Sequence, residues 1–239
     1  MIRFETLSSG SWGNCYAVWH DDRCLLLEAG IKIRGIKAGL NQKLSSVDAC
    51  LITHEHMDHA KWASKIIKLG IPVYMSAGTS QAIDCPLARN VAAGKQLDIK
   101  GWTIMPFGTQ HDANEPLGFA IGYRGEVLVF ATDTYYLRQQ FNNVSHWALE
   151  CNYDWNTLQA SISSGEVSPS RAKRVLQSHM SLEHLVDYLQ KQDLSSTIDI
   201  WLLHGSRQNL DQELAVRTIE QLTGKPVYIA GGDNSDTKS

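Results

Sequence analysis

The segment Thr53-His54-Glu55-His56-Met57-Asp58-His59 sets the potential metal ligands His54, His56, Asp58 and His59 almost side by side. Neutral imidazole and carboxylate suit zinc, and they suit harder ions such as manganese once oxygen ligands are added. The apolar pair Leu51-Ile52 leads straight into the segment. On a tight loop after a buried strand, alternate residues can aim into one pocket. A polar surface loop is the plainer reading, but chance seldom gathers so many ligand types in so short a stretch. The spacing also differs from His-Glu-x-x-His, where histidines four apart share one helix face, so a metalloprotease helix is not indicated.

One such cluster does not complete a centre, because each of two metals wants about three protein ligands. Further candidates stand at the ends of apolar runs: His111, Asp133 after Phe130-Ala131-Thr132, and His204 after Trp201-Leu202-Leu203. Each alone reads as a cap or turn residue. The chain also holds His179, whose imidazole could protonate a departing oxygen near neutral pH, and Arg207, whose planar fork matches phosphate.

Such residues need elements to place them. Residues 4–7, 15–19 and 24–28 read as a β-meander around a Ser/Gly-rich turn, and 31–44 shows helix-like apolar intervals. A buried strand is expected over 48–53, a helix over 60–69 and a strand over 72–75. Strands follow at 102–107, 118–123, 127–131 and 146–151, helices at 169–177 and 182–190, a strand at 198–203 and a helix at 210–222. This alternation predicts an α/β protein, an αββα four-layer sandwich of two packed mixed β-sheets flanked by helices. We expect one domain over 1–230 and a polar C-terminal tail over 231–239.

The formal charge of −3 gives no global basic excess. Local cations, Lys61, Lys65 and Lys68 and then Arg171, Lys173 and Arg174, read as solvated helix faces or as a rim. No stretch approaches the roughly 18 apolar residues of a membrane span, and the first residues do not resemble a secretory signal, so a cytoplasmic location is expected. The cysteines, Cys15, Cys24, Cys50, Cys85 and Cys151, lack a CxxC spacing and read as small buried hydrophobes.

The run His54-x-His56-x-Asp58-His59 resembles the ligand signature of the metallo-β-lactamase superfamily. Further motifs resemble its YycJ-like or WalJ-like branch of DNA exonucleases. They are Ser9-Gly10-Ser11-Trp12-Gly13-Asn14, His111-Asp112-Ala113 with Pro116-Leu117-Gly118-Phe119, Leu149-Glu150-Cys151-Asn152-Tyr153-Asp154, and His204-Gly205-Ser206-Arg207-Gln208-Asn209. The resemblance spans nearly the whole chain. It departs at Glu28-Ala29-Gly30, where the family usually has Asp-x-Gly, and at Ser178 before His179-Met180-Ser181, where a Gly is common.

The resemblance implies two divalent metal ions, Zn2+ or Mn2+. His54, His56 and His111 would hold one, Asp58, His59 and His204 the other, and Asp133 would bridge them, with a metal-activated hydroxide as nucleophile. It further implies that Glu150 orients His179 as proton donor or phosphate binder, as in ribonuclease Z. By their chemistry Arg207 is a candidate phosphate clamp, with a structural salt bridge as its plainer role, and Asn14 and Ser11 are candidate substrate contacts in a stretch that turn chemistry alone also explains. A helix cap is the plainer role for His179. The expected activity is phosphodiester hydrolysis, with DNA as the leading substrate and no membrane partner. A cyclic-nucleotide phosphodiesterase and a non-catalytic binding protein that keeps the fold are the alternatives.

Overall fold

The structure is a computed structural model that describes residues 1–231. Apart from Gly231, the expected tail lies outside the described residues. The chain divides into two compact units. Unit 1 comprises Met1–Gly108 and Ala113–Val127, and unit 2 comprises Thr109–Asp112 and the chain from Leu128 onward.

Unit 1 begins with β1 (Ile2–Ser8), β2 (Cys15–His20) and β3 (Arg23–Leu27), an antiparallel meander. Every residue of β2 is buried, as its apolar run requires. Helix α1 (Ile33–Gly39) leads to β4 (Val47–Leu51), which pairs parallel with β3. Two short helices, α2 (Met57–Ala60) and α3 (Ala63–Lys68), then precede β5 (Val73–Met75), α4 (Ala77–Ala82) and β6 (Arg89–Asn90). Strands β1 to β6 lie in sequence order in one mixed sheet. Its core joins Ala17, Leu26, Cys50 and Val73 of the strands to Ile36, Ala63 and Ile66 of the helices. The unit ends with an antiparallel series, β7 (Leu97–Ile99), β8 (Trp102–Gly108) and β9 (Leu117–Tyr123).

Unit 2 is built on β10 (Glu126–Ala131, inside this unit from Leu128), β11 (His146–Glu150), β12 (Asp199–Leu203) and β13 (Val227–Ile229), paired in parallel. Helices α5 (Trp155–Ser163), α6 (Pro169–Ser178) and α7 (Leu182–Leu189) connect β11 to β12, and α8 (Gln212–Thr223) connects β12 to β13. Each of these helices starts where a short oxygen side chain accepts a free backbone N–H: Asp154, Ser168, Ser181 and Asp211. Pro169 follows its cap in the first turn of α6, and left-handed Gly224 ends α8.

Several expectations need correction. The helix expected over 31–44 stops at Gly39, because Asn41 and Gln42 adopt left-handed backbone that no α-helix continues through. The helix expected over 60–69 begins earlier and breaks at Trp62, whose amide bonds to Ala29 O at 2.9 Å. Asp58 and His59 therefore stand on a helical turn and not on a loop. Helices α4 and α5 and the short strands β6, β7 and β13 carry patterns too brief or too mixed to read from sequence.

The cysteines are free and buried. Burial pushes the thiols of Cys15, Cys24, Cys50 and Cys151 upward, away from the reactive thiolate. No helix among the described residues is long and apolar enough to cross a membrane.

Candidate functional site

In unit 1, β4 delivers Thr53 and His54 to the strand end, and His56 becomes the N-cap of α2. The His54 Nε2 and His56 Nδ1 atoms stand 3.1 Å apart. The other nitrogen of His54, Nδ1, lies 2.8 Å from the Thr53 hydroxyl, which leaves Nε2 as the nitrogen for coordination. His59 is fully buried. Its Nε2 is 3.0 Å from the Asn14 amide and 3.5 Å from Asp58 Oδ2, while its Nδ1 faces Glu28 Oε2 at 3.7 Å.

The departure at Glu28 has a geometric answer. Glu28 ends β3 in left-handed backbone, φ 70°, and its amide donates to Leu51 O. The longer carboxylate bends back to accept from Thr53 N at 3.4 Å and to face His59. Burial pushes the Glu28 pKa up, while His59 and Thr53 oppose that shift.

Two residues on, a Cβ at Gly30 would lie 1.7 Å from Asp58 O, so only glycine permits this approach of β3's exit to the ligand helix. Asn14 N donates to the same Asp58 carbonyl at 2.7 Å, and Ala29 N to His59 O at 2.6 Å. Asn14 is itself buried. Its Oδ1 accepts from Gly10 N and Tyr16 OH, and its amide meets His59. In this environment the Asn14 amide is turned to the His59 ring. Ser11 is exposed on the preceding turn.

In unit 2, strand register does the gathering. Ala131 aligns with Leu149, Leu149 with Leu202 and Glu150 with Leu203, so Glu150 at the end of β11 and Asp133 and His204 just beyond β10 and β12 gather at the ends of neighbouring parallel strands. Such strand ends are where open α/β sheets bind ligands. Asp133 and His204 both take left-handed backbone, φ 47° and 53°, which turns their side chains out of the strand alternation. His204 Nδ1 lies 3.4 Å from Asp133 Oδ1 and 3.3 Å from Glu150 Oε1. His111 Nε2 is 3.6 Å from Asp133 Oδ2, and its Nδ1 donates to Ser178 O at 3.0 Å.

The buried Glu150 is the hub of this unit. Its Oε2 accepts from Thr134 N at 2.7 Å and Met180 N at 3.2 Å, and its Oε1 sits 2.6 Å from His179 Nδ1. Burial raises the Glu150 pKa, but His179 and His204 outweigh it and hold the group below the usual carboxylate range. For His179, burial works against the charged ring, yet Glu150 prevails and the pKa is pushed up to about 9. Burial lowers that of His111, which favours its neutral ring. The His179 ring lies 5.4 Å from those of both His111 and His204. His179 also closes α6, but the helix that follows is capped by Ser181.

These donors fit a divalent cation. Asp133, Glu150, His179 and His204 each offer an atom within 4.8 Å of the others, and in unit 1 the His54 and His56 nitrogens converge. Residues not singled out from sequence are Thr53 beside His54 and Asn152, whose amide meets both Nδ1 and the carbonyl of His204 at 3.1 and 2.9 Å. Their neighbourhood in quoted motifs was the available signal. Arg207 is exposed, three residues beyond His204.

A protein-family model described as a beta-lactamase superfamily domain matches residues 23–198. Exodeoxyribonuclease YycJ of Bacillus anthracis is 28% identical over 92% of this chain and 89% of its own length. Exodeoxyribonuclease WalJ of Streptococcus pneumoniae is 29% identical over 91% and 87%. Among solved structures, the metallo-beta-lactamase fold protein YhfI from Bacillus subtilis superposes with a TM-score of 0.69 at 15% identity, covering 96% of both chains. Zn2+-bound PqqB from Methylobacterium extorquens also reaches 0.69, at 14% identity, covering 97% of this chain and 98% of its own. At such identities these structures speak for the fold, and they agree with the α/β class expected.

Proposed function

This chain belongs to the metallo-β-lactamase superfamily and is a metal-dependent hydrolase; we propose that it hydrolyses phosphodiester bonds of DNA, working from a strand end. The observation that carries this reading is the Glu150–His179 pair, a buried carboxylate 2.6 Å from an imidazole in the ligand cluster of unit 2. Hydrolysis of an unactivated phosphodiester needs a proton for the departing oxygen, whereas β-lactam or thioester hydrolysis would leave this pair without an obvious task. The relatives named as exodeoxyribonucleases, aligned over most of this chain, support the same substrate class.

In this proposal His54, His56 and His111 hold one ion of the zinc or manganese class, Asp58, His59 and His204 a second, and Asp133 both. When bound, such ions lower the pKa of a water towards neutrality and neutralise charge on the phosphate oxygens. The chain's own residues do the rest. Glu150 occupies His179 Nδ1 and so directs the opposite nitrogen, Nε2, to proton transfer. Asn14 and Asn152 orient His59 and His204. Arg207 offers a bidentate fork to a phosphate, and Ser11 a hydroxyl at the edge of the ligand loop.

The test is hydrolysis by metal-loaded protein of end-labelled single- and double-stranded DNA, RNA and cyclic nucleotides, with bound metal measured in parallel. We expect two ions per chain and stepwise shortening of DNA. Turnover confined to cyclic nucleotides would replace the proposal with a small-molecule phosphodiesterase. Asp58→Ala is expected to abolish hydrolysis with the circular dichroism retained, and undiminished turnover in that variant would sink the mechanism.

A further inference from the structure

Trp12 is 97% exposed, the largest exposure among the large hydrophobic side chains of the described residues. An indole that could bury some 150–250 Å2 stands in water instead. Its backbone is nevertheless held firmly. Ser8 Oγ donates to Gly13 O, Gly13 N to Gly10 O and Asn14 N to Asp58 O. Gly13 has a left-handed φ of 139°, and a Cβ there would lie 2.7 Å from Gly30 O. Trp12 is two residues from Asn14, hence within about 7 Å of it along the chain, and Asn14 touches His59. Met57, 58% exposed, precedes Asp58 at the other side of that hydrogen bond.

The neighbouring segment supplies charge of one sign. Residues 29–47 contain Lys32, Arg34, Lys37 and Lys43 and no Asp or Glu, in a chain of net charge −3. Lys32 and Arg34 are exposed. This segment lies against the Trp12 turn at one point and against β1 at another. Gly13 approaches the Ile31 side chain, and Gly39 of α1 approaches Leu7, so closely that a Cβ at either glycine would clash. An exposed aromatic on a braced turn, packed against the segment that carries exposed cations and a few residues from the proposed metal ligands, matches the two parts of a single-strand binding surface: a stacking platform and backbone-tracking charge.

We propose that Trp12 stacks on a nucleobase while Lys32 and Arg34 hold adjacent backbone phosphates, so that this face of unit 1 docks a single-stranded nucleic-acid end beside the His54–His59 ligands. The inference rests on the phosphodiesterase reading above and adds the strandedness and the gripping residues. Stacking tolerates any base, so recognition here is of a frayed or single strand and not of a sequence.

The test uses the full metal-loaded chain and a fluorescent phosphorothioate oligodeoxynucleotide of about ten residues that resists cleavage, with binding followed by anisotropy. Trp12→Ala should weaken binding about 5- to 100-fold, the range expected for one stacked base, and Trp12→Phe should recover most of it. Lys32→Glu with Arg34→Glu should weaken binding and reduce the salt dependence by about 1.4 in log–log slope. Leu87→Ala, at another exposed apolar position, should bind as wild type. On a cleavable oligonucleotide the Trp12→Ala loss should fall on KM more than on kcat.

Wild-type affinity in Trp12→Ala, or a Phe variant no better than Ala, overturns the inference. So does Trp12-dependent sedimentation with phosphatidylglycerol vesicles when oligonucleotide binding is indifferent to Trp12. DNA hydrolysis that ignores Trp12 defeats this inference alone. Trp12-dependent binding by a protein that cleaves no DNA supports it and defeats only the function proposed above.

Discussion

The candidate site residues of unit 1 and those of unit 2 are assembled by opposite means. In unit 1, His54, His56, Asp58 and His59 are neighbours in sequence, and the fold's task is to brace one short segment. Glu28 reaches it from β3, Asn14 from the first turn, and Gly30 lets the backbones meet. In unit 2, His111, Asp133, Glu150, His179 and His204 are spread over more than ninety positions, and parallel register together with left-handed backbone at the strand ends brings them together. A contiguous set is exposed to a single backbone clash, whereas a dispersed set depends on many contacts that each contribute a little.

The largest effect should come from the glycines that test this contrast. Gly30→Ala drives a methyl into Asp58 O and should cost about 4 kcal/mol or more, with loss of metal retained by the protein. Gly205→Ala, next to His204, presses on the flexible end of Leu210 at 3.2 Å, with Cys151 O and the Gln212 side chain in ordinary contact, and should cost less than about 1 kcal/mol. Denaturant titration with metal analysis measures both. Similar losses in the two variants would erase the distinction between braced and dispersed ligands.

Next in size is His179→Ala. If unit 2 supplies the proton donor, turnover on natural phosphodiesters should fall by about two to four orders of magnitude. A nitrophenyl ester, whose leaving group needs no proton, should be much less affected. Equal large losses on both substrates would point to phosphate binding, and a loss of bound metal would make His179 a ligand.

Smaller again are the amides that orient a ligand ring in each unit. Asn14→Ala and Asn152→Ala should each weaken metal affinity about 10- to 100-fold, as loss of a partner to a coordinating imidazole generally does. Competition with a chelating dye measures this. An unchanged affinity in either variant would show that ring's orientation to be set elsewhere. A small effect confined to stability belongs to Ser181→Ala, which removes the cap of α7 and should cost about 1 kcal/mol in thermal unfolding while leaving metal-saturated turnover nearly unchanged.

Much of this was legible before any coordinates. The apolar runs of β1, β2, β8, β10, β11 and β12 carry local signals, and local signals decide where strands begin. The His54–His59 run announced itself because its ligands are adjacent. Its helical turn did not, since α2 is stabilised by tertiary bonds: His59 O accepts from Ala29 N, and Trp62 N reaches Ala29 O. Asn14 illustrates the same limit. In one dimension a Ser-Gly-x-x-Gly-Asn stretch reads as a turn or as a substrate contact, and only the folded chain brings its amide to His59.

The sequence by itself therefore determined which residue types are present for metal chemistry, the α/β order of the elements and the family to which the chain belongs. Tertiary structure alone decided that Glu28 bends back to His59, that Glu150 sits 2.6 Å from His179, and that Trp12 projects into water. The physical reason is range. Propensity, capping and periodicity act over a few residues, whereas the partner of a buried carboxylate or the exposure of an indole is set by chain segments that meet only after the sheets have formed.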